Sequence, residues 1–158
     1  MGKWVTIRGA HVYIEDDGTI SKGPKALKEK NYIKKDMTLY HASDADIVEF
    51  DEYHFGKNSL GGLTKGDAVY FDTTKEGAKS FNKKYVQKAY LKNMKVINED
   101  TYEKILAKEY KSGNTKAYNT SERRYIMLQH GVDAVEYGTE VAVFNINKLN
   151  KSMRFNLR

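Results

Sequence analysis

Along the first twenty residues apolar and polar positions alternate: Trp4 to Ile20, WVTIRGAHVYIEDDGTI, changes character about every second residue and is punctuated by Arg8-Gly9 and Asp16-Asp17-Gly18. Period-two alternation between turn signals predicts a hairpin or a three-stranded ribbon. Pro24 follows Gly23 and precedes Lys25 to Lys30, which predicts a short helix with proline in its first turn. Two short apolar stretches, Met37 to His41 and Ile47 to Phe50, flank a Ser43-Asp44-Ala45-Asp46 turn. A glycine-rich loop follows from Phe55 to Leu63, with Gly56, Gly61 and Gly62 serving turns. Ala68 to Asp72 then reads as a compact buried strand.

Thr74 suits a helix N-cap, and Ala78, Phe81 and Tyr85 recur at helical spacing, so a helix of about ten residues is expected there. Val86 to Ile97 alternates as a strand, Asp100 to Tyr110 reads as helix, and Lys111 to Thr120 reads as a polar loop. Ser121 is placed to cap a third helix that Gly131 ends in a left-handed conformation. Asp133 to Tyr137 and Glu140 to Phe144 then pair as strands around Gly138. Short strands outnumber helices, which predicts an α+β fold of mainly antiparallel sheets, with an N-terminal ribbon and linker helix over 1–30 and a main domain over 31–158.

Composition narrows the chemistry. The 158 residues suffice for one domain with a core, and 40% hydrophobic and 12% aromatic residues with a single proline describe a folded chain. The absence of cysteine removes disulfides, thiolate metal sites and a cysteine nucleophile. His11, His41, His54 and His130 lack zinc-site spacing, so no metal is implied; of these, His11, His54 and His130 read as structural or solvated. No run approaches the ~18 apolar residues of a membrane span, so no membrane partner is expected. Ser59 and Ser121 have no histidine and acid in a hydrolase arrangement, and no glycine-lysine-serine ending makes the glycine loop a phosphate loop. A net charge of +6 favours anionic partners.

Three segments carry a resemblance. A strand ends in Tyr40-His41-Ala42-Ser43, a strand Val69-Tyr70-Phe71 follows a glycine-rich loop and precedes a helix, and a late strand opens with Glu140. In that order they resemble the His-Tyr-Glu class of ADP-ribosyltransferases, the group of diphtheria toxin and the poly-ADP-ribose polymerases, over about residues 37 to 150. The ribbon from Trp4 to Pro24 also resembles one found beside catalytic or processing domains in phage head-morphogenesis polyproteins. The resemblance implies a split core of two mainly antiparallel sheets with short flanking helices. It implies NAD as substrate, a macromolecular acceptor that is protein or nucleic acid, and a place in the bacterial host cytoplasm or on the virion that delivers it.

Carried over residue by residue, the resemblance makes Glu140 catalytic, with Glu136 as rival. His41 would bond the adenine-side ribose, the Ala42 backbone would hold the nicotinamide amide, and Tyr70 and Phe81 would stack on the nicotinamide ring. The chemistry is coherent, because cleaving the nicotinamide-ribose bond develops positive charge that a nearby carboxylate stabilises. The sequence departs from the family pattern in Ala42 for glycine, Ala78 for serine and Phe81 for tyrosine. An NAD glycohydrolase, or a non-catalytic basic module binding nucleic acid or phage protein, are the alternatives.

Overall fold

The computed structural model describes residues 1–56 and 64–157, so Ser59, Gly61 and Gly62 lie outside the described residues. The N-terminal alternation becomes an antiparallel sheet of β1 (Lys3–Ile7), β2 (Ala10–Ile14) and β3 (Ile20–Lys22). Arg8 and Gly9 both take positive φ, the mirror-image turn that matches the twist of a tight hairpin.

The second sheet holds β4 (Ile33–Ser43), β5 (Val69–Asp72), β6 (Tyr85–Asn98), β7 (Ala134–Tyr137), β8 (Glu140–Val143) and β9 (Met153–Asn156). Its order is β4-β5-β8-β7-β6-β9, and β4 also pairs with β6, so the first five strands in that order close into a barrel. Among the described residues only β6 with β7 runs parallel. Closure removes the barrel's own edges and leaves β9 outside, paired antiparallel to the first half of β6. The molecule is therefore α+β, with two sheets and four short α-helices among the described residues.

The alternation along each strand sorts side chains into two layers. Inside the barrel pack Leu39, Val69, Phe71, Leu91, Met94, Val96, Val141 and Val143, with Ile47, Phe50 and Leu149 joining from the connections. On the outer face Tyr70, Ile97, Val135, Ala142 and Phe144 meet α2 (Glu99–Lys111) and α3 (Thr120–Gln129) through Tyr102, Leu106, Ile126 and Met127. No helix among the described residues is long and apolar enough to cross a membrane.

Several local expectations change. The segment after Pro24 forms no helix beyond one 3-10 turn at Glu29–Asn31, because its backbone is spent on docking: Leu27 N–H donates to the His130 carbonyl at 3.0 Å. The two apolar stretches around residue 44 are unequal. The first belongs to an eleven-residue strand, and the second is an irregular plug that buries Ile47 and Phe50. The helix capped by Thr74, α1 (Lys75–Lys79), is half the expected length, since Asn82 turns to φ 53 and the chain re-enters β6 at Tyr85. The cap of α3 is Asn119, not Ser121. After β8 come α4 (Ile146–Asn150) and β9.

Candidate functional site

Three strands that carry the sequence motifs, β4, β5 and β8, are neighbours in that order. Tyr40 pairs with Asp72, and Asp72 with Glu140, which pairs in turn with Tyr137. Residues paired across a sheet share a face, so these four side chains form one row on the outer face, with Tyr70 on that face one row away. Glu140 opens β8, half-buried, at the hairpin whose turn is fixed by Thr73 N–H and hydroxyl donating to the Thr139 carbonyl at 2.9 and 3.0 Å.

His41 alternates with Tyr40 and faces the barrel interior, 1% exposed, between Phe50 and Phe71 at ring-centroid distances of 5.3 Å each. Its Nδ1 lies 2.8 Å from the Tyr70 carbonyl oxygen. A carbonyl only accepts, so Nδ1 carries the proton and Nε2 is a bare acceptor. Burial pushes the imidazole down to about 4, against a smaller opposing effect of that hydrogen bond, so the ring is neutral at pH 7. Nε2 is buried and has no partner among the described residues. The gap beside it, lined by Ser43, Ile47, Tyr85 and Gln87 among others, is too tight to admit a water molecule.

Tyr70 does not have the expected open face. It is fully buried, and its hydroxyl accepts from Lys65 N–H at 2.9 Å and donates to the Gly66 carbonyl at 2.8 Å. Burial raises the phenol's pKa strongly. The ring belongs to the layer under α2 and α3, whereas Phe81 packs with Tyr40, Ala42, Ala78 and Val86 under α1. The two rings therefore do not flank a common slot in this structure, because period-two alternation sends Tyr70 toward the helices that cover the sheet. Ala42 and Phe81 are brought together, with Tyr40 beside them. They are separated from Glu140 by the width of β5, roughly 10 Å for two strand spacings.

Asp72, in the middle of the row, is a buried structural acid. It accepts from Thr74 N–H and Oγ1 at 2.8 and 2.9 Å and fixes the turn into α1. A Cβ on Gly77 would lie 2.2 Å from its carboxyl group, so glycine is what lets α1 sit against it. Lys65, which carried no sequence signal, lies 4.9 Å above the Tyr137 ring and pairs with Glu99 at 2.5 Å. It supplies a nearly buried cation against Tyr137, the cross-strand neighbour of Glu140. Glu136, the rival acid, faces the other side of the sheet and is held in an ion pair with Lys35.

No family model, curated protein or solved structure matches the chain.

Proposed function

We propose that this chain is an NAD-dependent mono-ADP-ribosyltransferase with an ADP-ribosyltransferase-like split core, and that Glu140 is its catalytic carboxylate. The observation that carries the reading is the coupling of the three motif strands. β4, β5 and β8 are adjacent, His41 is tied to the backbone of Tyr70, and the register from Tyr40 through Asp72 to Glu140 sets the acid on the outer row. After the Tyr40–Asp72 bridge β4 and β5 have no further pairing, and this parting is the split at which NAD would enter.

In this reading the bond between ribose C1′ and the nicotinamide nitrogen breaks, and nicotinamide leaves with the bonding electrons. The Glu140 carboxylate stabilises the positive charge left on the ribose and then takes the proton of the attacking acceptor. His41 Nε2, fixed as an acceptor by the bond at Nδ1, faces the barrel interior at 1% exposure, so in this reading it meets a ribose hydroxyl only when β4 and β5 part around the ligand. Ala42 gives a close backbone approach, and Phe81 with Tyr40 offers the aromatic surface. Tyr70 fits as a support that orients His41, not as a stacking face.

The test is nicotinamide release from NAD. Glu140→Ala, with an unchanged far-ultraviolet spectrum, is expected to lower the rate by about 100-fold or more. A Glu140→Ala protein as active as the parent refutes the reading.

A further inference from the structure

The sheet face that leads away from the proposed site is open. Beyond the part of β4 and β6 covered by α1, the outward side chains come in cross-strand rows: Tyr40 beside Lys88 and Phe155, then Thr38 beside Tyr90 and Met153. Tyr90, Phe155 and Met153 are 36%, 48% and 63% exposed, although outward positions on a solvated sheet are ordinarily polar. Phe155 meets Tyr90 edge-on at 5.9 Å, and the Lys88 ammonium lies 5.1 Å over the Tyr90 ring. A hydrogen bond with Tyr90 holds the Lys88 ammonium above its ordinary pKa.

Next to these rows opens a cavity of about 660 Å³, lined by Tyr90, Lys92, Asn93, Lys151 and Met153 together with Asp17. A volume of that order accommodates one nucleotide. The acids nearby are already engaged: Asp17 faces Lys148 at 3.5 Å, and Asp36 accepts from Asn93 N–H at 2.9 Å. Lys88 and Lys92, by contrast, enter no ion pair among the described residues, and the chain carries a net charge of +6.

We propose that the outer face of β4, β6 and β9 binds single-stranded nucleic acid, with bases on Tyr90 and Phe155 and phosphates on Lys88 and Lys92. The chemistry selects this occupant. Rings interleaved with lysines on an open sheet suit splayed bases joined by a charged backbone. A duplex keeps its bases stacked and offers the rings nothing. An acidic peptide would use the lysines but has no need of the exposed rings. In register, Lys88 and Tyr40 lead directly to Asp72 and Glu140, so the strand would run toward the proposed catalytic row, about three strand spacings or roughly 15 Å away. The binding site itself does not depend on NAD chemistry.

The experiment is fluorescence anisotropy of the full chain with a labelled oligouridylate of about 12 residues, within the length a small stacking surface covers. The expected result is saturable binding that weakens about tenfold in Tyr90→Ala and again in Phe155→Ala. Lys88→Ala and Lys92→Ala should each flatten the dependence of log affinity on log salt by about 0.7. All four side chains point outward, so unchanged thermal melts are expected to accompany these losses. Glu140→Ala should bind the oligonucleotide like the parent, so loss of nicotinamide release with binding retained separates the two proposals. Absence of binding at low salt overturns the inference. So does equal affinity in the Tyr90→Ala/Phe155→Ala double variant, or equally effective competition by duplex or by polyglutamate.

Discussion

Among the described residues, two of the buried polar centres are finished to different degrees. At one, Lys148 and Asp133 have side chains 7% and 2% exposed and form an ion pair at 3.0 Å. Lys148 Nζ also donates to Thr19 Oγ1 at 2.9 Å and to the Asn93 carbonyl at 2.5 Å. Asp133 accepts further from Asn145 Nδ2 at 2.8 Å and Lys95 N–H at 2.9 Å. At the other, His41 has one partner, and its Nε2 has none among the described residues. Buried polar atoms are nearly always paired, because an unmade bond costs about 1–3 kcal/mol. The satisfied network ties the ribbon residue Thr19 to the barrel and α4, and that is structural work. Among the described residues Arg124 Nε and Arg154 Nε share the unsatisfied state of His41 Nε2, and in the proposed reading His41 Nε2 is the one that meets the ligand.

The largest effect that tests this contrast comes from the satisfied centre. Lys148→Met leaves Asp133 buried without its cation and is expected to cost about 3–5 kcal/mol in urea unfolding. Nicotinamide release per folded molecule should be retained. A loss under 1 kcal/mol would mean the network does not hold the ribbon in place.

The next effect is a pH dependence at the unsatisfied centre. In the folded chain His41 stays neutral down to about 4, against an ordinary value of 6.5. Between those values the unfolded chain binds more protons, so the stability contribution is complete above pH 6.5 and is lost as pH falls toward 4. The loss amounts to about 3 kcal/mol. His130, also pushed down by burial, acts with the same sign. His41→Phe should therefore flatten, without abolishing, the fall in urea midpoint from pH 7 to pH 4.5. An unchanged slope would contradict the neutral, buried assignment.

The smallest effect distinguishes support from stacking at Tyr70. Tyr70→Phe removes the bonds to Lys65 and Gly66 and should cost about 1 kcal/mol of stability. The affinity for NAD should change little, since the ring stays where it is.

The strands are readable because their pattern is local: the ribbon, Val86 to Ile97 and the hairpin around Gly138 follow from period-two alternation and turn residues, and Ala68 to Asp72 from a short apolar run. The helix α2 followed from its own periodicity. What depends on distant partners was not readable. Tyr70 was expected to be a stacking ring, but whether a strand residue faces a cleft or a helix layer is set by α2 and α3, more than 25 residues later in sequence. Asp133 and Lys148 look like surface charges until Thr19, Asn93 and Asn145 close around them. α1 stops early because Asp72 and Gly77 pull it onto the sheet, and β9 exists because β6 is long enough to take a second partner. Of the candidate site, the order of His41, Tyr70 and Glu140 was visible in the sequence, but the opposite facing of His41 and Glu140 was not.

The most direct test of the central contrast is the imidazole nitrogen-15 spectrum of the protein at pH 7 with and without NAD. The account predicts a His41 ring protonated at Nδ1 alone, with an Nε2 resonance that moves when NAD is added while the His130 resonances stay in place. A His41 Nε2 resonance indifferent to saturating NAD would contradict it.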